Sequence, residues 1–228
     1  MVTAPPATGR STEHRDAIRE KPLLRGVSHE IAAFVALAAW IGLVAVAAPG
    51  RARAAATIYG ATLLALFTIS ALYHRPTWAP RARLLWRRLD HSAIFLLIAG
   101  TYTPFCLLLG GTAGTVELAV VWTGATLGVV QAVVWPTAPK PLIAVVYVML
   151  GWVIVPVMPA LWRALGTPAV ALLAAGGVAY SLGAVVYALR RPDPAPRVFG
   201  YHEVFHALVV LAALLHFLVA ARAVLALG

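Results

Sequence analysis

The chain has 228 residues, 61% of them hydrophobic and only 11% charged, with a formal net charge of +10. A mean hydropathy of +0.86 excludes an ordinary soluble globular protein and marks a polytopic membrane protein. At about 20 residues per span, the length leaves no room for a sizeable soluble domain. The lone cysteine, Cys106, excludes intramolecular disulfides and a cysteine-based metal site.

Residues 1–28 are polar, carry Pro5, Pro6 and Gly9, and hold Arg10, Arg15, Arg19, Lys21 and Arg25. They read as a flexible basic tail ahead of a membrane domain at 29–228. The first apolar run, 29–48, ends at Pro49-Gly50. Its Ala45-Val46-Ala47-Ala48 imitates a signal-peptidase site, but the long polar lead and near-spanning length favour a retained helix. The second run covers 54–73 and meets a basic loop with Arg75, Arg81, Arg83, Arg87 and Arg88; the third is read from Asp90 to Leu109. A glycine turn (Gly110, Gly111, Gly114) leads to a fourth at 115–135. Pro136, Pro139 and Pro141 then punctuate a loop before runs at 142–162, 168–189 and 202–227. The expected fold is an all-α integral membrane protein, a bundle of seven transmembrane helices.

The basic residues set the orientation. Fourteen of the 18 lysines and arginines fall in the tail and in the loops after helices two, four and six, so the N-terminus is expected in the cytoplasm and the C-terminus outside. Tyr73, Trp78, Trp86, Trp135, Trp162 and Tyr201 lie near span ends, as interface anchors do. Arginines placed this way are topology determinants, and nucleic acid is not an expected partner.

On this topology His74 ends helix two, Asp90 and His91 open helix three, and His202 and His206 open helix seven, all at the cytoplasmic ends. His202 and His206, four residues apart, share a helical face at a spacing one metal ion can bridge. His74, His202 and His206 together offer the three nitrogens of a catalytic zinc site, leaving a fourth position for water. Asp90 is then placed to bond that water or act as its base. Ser70 lies one turn from His74 on the same face.

The runs Ser70-Ala71-Leu72-Tyr73-His74, Leu89-Asp90-His91-Ser92-Ala93-Ile94, Gly100-Thr101-Tyr102-Thr103-Pro104-Phe105 and Gly200-Tyr201-His202-Glu203-Val204-Phe205-His206 resemble signatures of the haemolysin III branch of the progestin and adipoQ receptor family. The resemblance covers about residues 22–227. It implies seven transmembrane helices, an inward N-terminus and zinc near the cytoplasmic face, held by His74, His202 and His206 beside Asp90. The adiponectin receptors and the related alkaline ceramidases imply a hydrolase acting on a lipid amide. The chain lacks their long N-terminal extension, so hormone binding does not carry over.

Other residues have plainer readings. Glu203 completes a His-Glu-x-x-His pattern, in which a zinc protease would use the glutamate as base, but the polar partners on other helices point away from that assignment. His91 could add a ligand or a supporting bond to the site but reads first as an interfacial structural histidine, and His29 reads as structural or a cavity liner. Glu117 is expected to meet lipid headgroups. Gly100 and Pro104 mark close packing and a kink, with Tyr102 and Thr103 as candidate cavity liners. His216, ten residues beyond His206, is too deep to share the ion and is expected to bond a neighbouring helix or line the cavity.

The leading expectation is a zinc-dependent membrane hydrolase, with Asp90 and Ser70 catalytic, cleaving an amide or ester of a membrane lipid in a bacterial-type plasma membrane. The alternatives are a pore-forming cytolysin and a ligand sensor with structural zinc.

Overall fold

The computed structural model describes residues 21–228; the earlier part of the expected tail, with Arg10, Arg15 and Arg19, lies outside the described residues. Seven segments are long and apolar enough to cross a bilayer. The helices are α1 (Val27–Val46), α2 (Arg51–His74), α3 (Pro80–Leu109), α4 (Gly111–Val134), α5 (Lys140–Gly151), α6 (Met158–Leu165), α7 (Thr167–Leu189) and α8 (Tyr201–Leu225). Together α5, a 3₁₀ turn at Val155–Val157 and α6 make the fifth span. Short connections pair α1 with α2, α2 with α3, α3 with α4 and α7 with α8, while α8 also closes back on α1, α2 and α3. That closure sets the start of α8 beside the end of α2.

Most helices turn a narrow stripe inward, while α3 is the central one, buried on all faces from Ala99 to Cys106. On α1 only His29, Ala32, Ala36 and Leu43 are buried, while Phe34 and Val35 remain 73% and 62% exposed, an apolar face that suits lipid rather than water. Most of the inward residues are small, which lets backbones approach closely where apolar burial alone gives no drive for helix association. Gly100 shows the need: a Cβ there would lie 2.0 Å from Thr62 Oγ1 on α2.

Three features depart from the sequence reading. First, α3 starts ten residues earlier than expected, and Arg81, Arg83, Arg87 and Arg88, read as loop, belong to its first turns. Pro80 suits a first helical position and arginine is a good helix former. At 30 residues the helix is about 45 Å long, against a hydrocarbon core of about 30 Å. Its basic start therefore projects beyond the core, and Asp90 lies about 15 Å along it.

Second, the fifth span is broken. Pro156 and Pro159 lack amide hydrogens and cannot continue the ladder. The Tyr102 hydroxyl fills the break, accepting from Ile154 N–H (2.8 Å) and donating to the Gly151 carbonyl (2.7 Å). Thus Tyr102 re-satisfies backbone freed at membrane depth, a more specific role than lining a cavity. It also touches the cavity described below.

Third, Glu117 is buried at 7% exposure rather than set among headgroups, and its Oε1 has no hydrogen-bond partner. It lies on the inward stripe of α4 with Gly114, Val121 and Ala125, so helix rotation, which its depth did not reveal, decides its environment.

The segment just before α1, read as the end of a loose tail, is held in place. Leu23 and Leu24 donate backbone hydrogen bonds to Arg197 and Val198 (3.0 and 3.2 Å). Lys21 Nζ reaches the Arg75 carbonyl at 2.7 Å. Gly26 turns the chain into α1 at φ 79°, and a Cβ there would lie 2.9 Å from the His74 Cβ.

Candidate metal centre and cavity

The end of α2 and the first turns of α8 bring His74, His202 and His206 together, with ligand atoms all within 4.8 Å of one another. The Nε2 atoms of His74 and His202 are 3.2 Å apart. Two nitrogens each at about 2.05 Å from a tetrahedral ion would stand about 3.3 Å apart, so this edge already has the spacing of a metal site. His202 and His206 are buried and the His74 side chain keeps 10% exposure. His206 Nδ1 is buried with no hydrogen-bond partner, an arrangement that is costly unless the ring has another task. The donor set, three imidazoles and no thiolate, fits zinc and other borderline metals.

Asp90 approaches from α3, with Oδ2 4.0 Å from His74 Nε2. Too distant for a hydrogen bond, it stands where a ligand between it and the histidines would meet both. Ser70 is buried one turn before His74 and shares a 2.8 Å hydrogen bond with His29 Nδ1. His29 in turn stacks on His206, with ring centroids 3.8 Å apart and planes 9° from parallel. His29, read from the sequence as structural or a cavity liner, does line the cavity and is also the packing surface of one of the three histidines. Its position at the same depth as the others was the available signal.

Glu203 faces away from this chemistry. Its Oε1 accepts from Arg25 Nε at 2.5 Å, and its Oε2 accepts from the Gly200 amide at 2.8 Å. Asp193 accepts from the Tyr201 amide at 2.9 Å. These two carboxylates satisfy the amides at the start of α8, which holds the helix end that carries His202 and His206. A base with both oxygens so engaged is poorly placed for the zinc-protease role.

The histidines open on a cavity of about 760 Å³, within the range of small-molecule sites. It runs from a basic mouth past Asp90 and His206 to His216, whose Nε2 bonds the Leu173 carbonyl at 3.0 Å. His216 thus does both things expected of it. His91 also lines the cavity, while its carbonyl accepts from Tyr147. At the mouth Lys21 has its pKa lowered, first by burial and then by Arg25, Arg75 and Arg83.

Seven apolar spans around a buried three-histidine cluster define a multi-pass membrane protein with a metal-competent centre. The chain belongs to the haemolysin III family: the haemolysin-III related family model matches residues 18–217. It is 35% identical over 184 residues to Hemolysin-3 of Bacillus cereus, covering 79% of this chain and 83% of that protein. It is 34% identical over 155 residues to the Hemolysin-3 homolog of Bacillus subtilis (strain 168), covering 68% and 70%. These bacterial relatives and the seven spans identify a multi-pass plasma-membrane protein.

Proposed function

We propose that the protein is a zinc-dependent hydrolase of a membrane lipid amide or ester. The observation that carries this reading is the juxtaposition of His74, His202 and His206 with Asp90 at one cavity wall. Zinc held by the three histidines would polarise a substrate carbonyl and make water acidic enough to attack near neutral pH. Asp90, with Oδ2 4.0 Å from His74 Nε2, would take the proton of the attacking water and return it to the leaving amine or alcohol as the acyl bond breaks. Ser70, hydrogen-bonded to His29, would orient that water or donate to the developing oxyanion. The cavity lies among the spans, which suits a lipid entering from the bilayer. We assign the basic end, and the N-terminus with it, to the cytoplasm because the lysines and arginines concentrate there.

The relatives' name raises a second reading, a membrane-damaging cytolysin. Beyond His216 the buried residues of α8 are Val219, Ala220, Ala223 and Val224, facing a core with Ala52, Ala55 and Ala56 of α2. This apolar packing favours a closed cavity over an aqueous pore. Purified protein in liposomes separates the readings: zinc-dependent fatty acid release is expected, whereas dye leakage without hydrolysis would support the pore. Bound zinc with neither would support a sensor.

A further inference from the structure

The mouth of the cavity carries more positive charge than the fold needs. Lys21, Arg25, Arg83, Arg87, Lys140 and Arg190 line it, against the carboxylates of Asp90 and Asp193. Arg25 is taken by Glu203. Among the described residues no carboxylate lies within ion-pair distance of Arg83, Arg87, Lys140 or Arg190. Charges that serve only to set topology snorkel outward on mobile side chains, and Lys140 does not. It is half-buried, with its ammonium 3.0 Å from the Tyr201 hydroxyl and over the rings of Tyr187 and Tyr201, 4.6 and 5.2 Å from their centroids. Arg87, half-buried on α3, lines the same cavity as Lys140, Tyr187 and Tyr201. Three helices, α3, α5 and α8, thus bring two cations and a phenol to one cavity, with the Tyr187 ring of α7 against the Lys140 ammonium.

We propose that this part of the mouth binds the phosphate of an anionic amphiphile whose headgroup carries no balancing cation, gripped by Lys140 and Arg87 and bonded by the Tyr201 hydroxyl. Basic pockets between membrane helices select anionic headgroups in this way. For turnover, the proposal rests on the hydrolase reading, to which it adds a substrate class: a lipid whose phosphate sits at the mouth while its acyl linkage reaches Asp90 and the histidines. Headgroup binding is separate and is measured without turnover.

The test is native mass spectrometry of the purified protein titrated with phosphatidylglycerol or phosphatidylcholine of identical acyl chains. The parent should bind phosphatidylglycerol roughly tenfold more tightly. Lys140→Gln with Arg87→Gln should abolish the preference, and Lys140→Arg with Arg87→Lys should keep it. Arg163→Gln, at an exposed position of α6 outside the cavity lining, should leave it intact. Equal binding of the two lipids by the parent, or a preference that survives the double glutamine variant, would overturn the proposal. Loss of preference in the charge-conserving variant would do the same. Millimolar inorganic phosphate identifies the source: competition supports a site open to soluble phosphate, and its absence supports one that reads phosphate only on a lipid. A preference in a protein with no hydrolytic activity would sink the hydrolase reading and leave this site standing; hydrolysis without preference would do the reverse.

Discussion

His74 and His202 stand 128 residues apart in the chain, yet their Nε2 atoms are 3.2 Å apart. That separation is one a single ion can span, and losing any one of the three histidines leaves two ligands, too few for tight binding. Zinc per protein, measured by elemental analysis, should fall sharply in His74→Ala, His202→Ala and His206→Ala and stay at the parent value in His216→Ala. Full zinc in His74→Ala would refute the three-histidine site.

Asp90 lies beside that site at 4.0 Å rather than within it. Asp90→Asn should keep most of the metal and lose at least about 100-fold in lipid hydrolysis, as expected for a missing general base. If the variant loses metal as completely as a histidine variant, Asp90 is a ligand.

Tyr102 holds the broken fifth span through Ile154 and Gly151. Tyr102→Phe leaves a buried N–H and C=O short of a partner, which should cost about 1–3 kcal/mol. A lower melting temperature in detergent with unchanged zinc content is the expected result. An unchanged melting temperature would mean that water or the backbone replaces the hydroxyl.

Glu203 and Arg25 make a part-buried ion pair, with side chains 3% and 23% exposed. Arg25→Ala leaves a buried carboxylate without its cation and should destabilise by on the order of 3 kcal/mol. Glu203→Gln should lower the melting temperature while retaining measurable hydrolysis. Complete loss of hydrolysis at unchanged stability would instead revive Glu203 as the base.

The seven spans place the two ends of the domain on opposite faces of the membrane. A topology reporter fused after Leu227 should be active only outside the cytoplasm. Activity inside would contradict the assigned orientation.

Chain length and apolar runs alone determined that this is a seven-span bundle, because a bilayer demands about 20 apolar residues per crossing and basic loops mark one side. The i, i+4 spacing of His202 and His206 is likewise local, and the shared depth of His74 and Asp90 follows from counting along the helices. What the sequence could not determine is rotation and neighbourhood. Helices apolar on nearly every face give little periodic signal for the inward side, so the burial of Glu117 and the stacking of His29 on His206 emerge only from packing. The Arg25–Glu203 pair, 178 residues apart, and the insertion of Tyr102 into the fifth span depend on which helices adjoin. The early start of α3 was hidden for another reason: its first turns are basic, and a hydropathy reading cannot distinguish a helix that leaves the membrane from a loop. Tertiary packing decided these points because, where lipid and helix surface are equally apolar, close fit and polar pairing between particular helices select the arrangement.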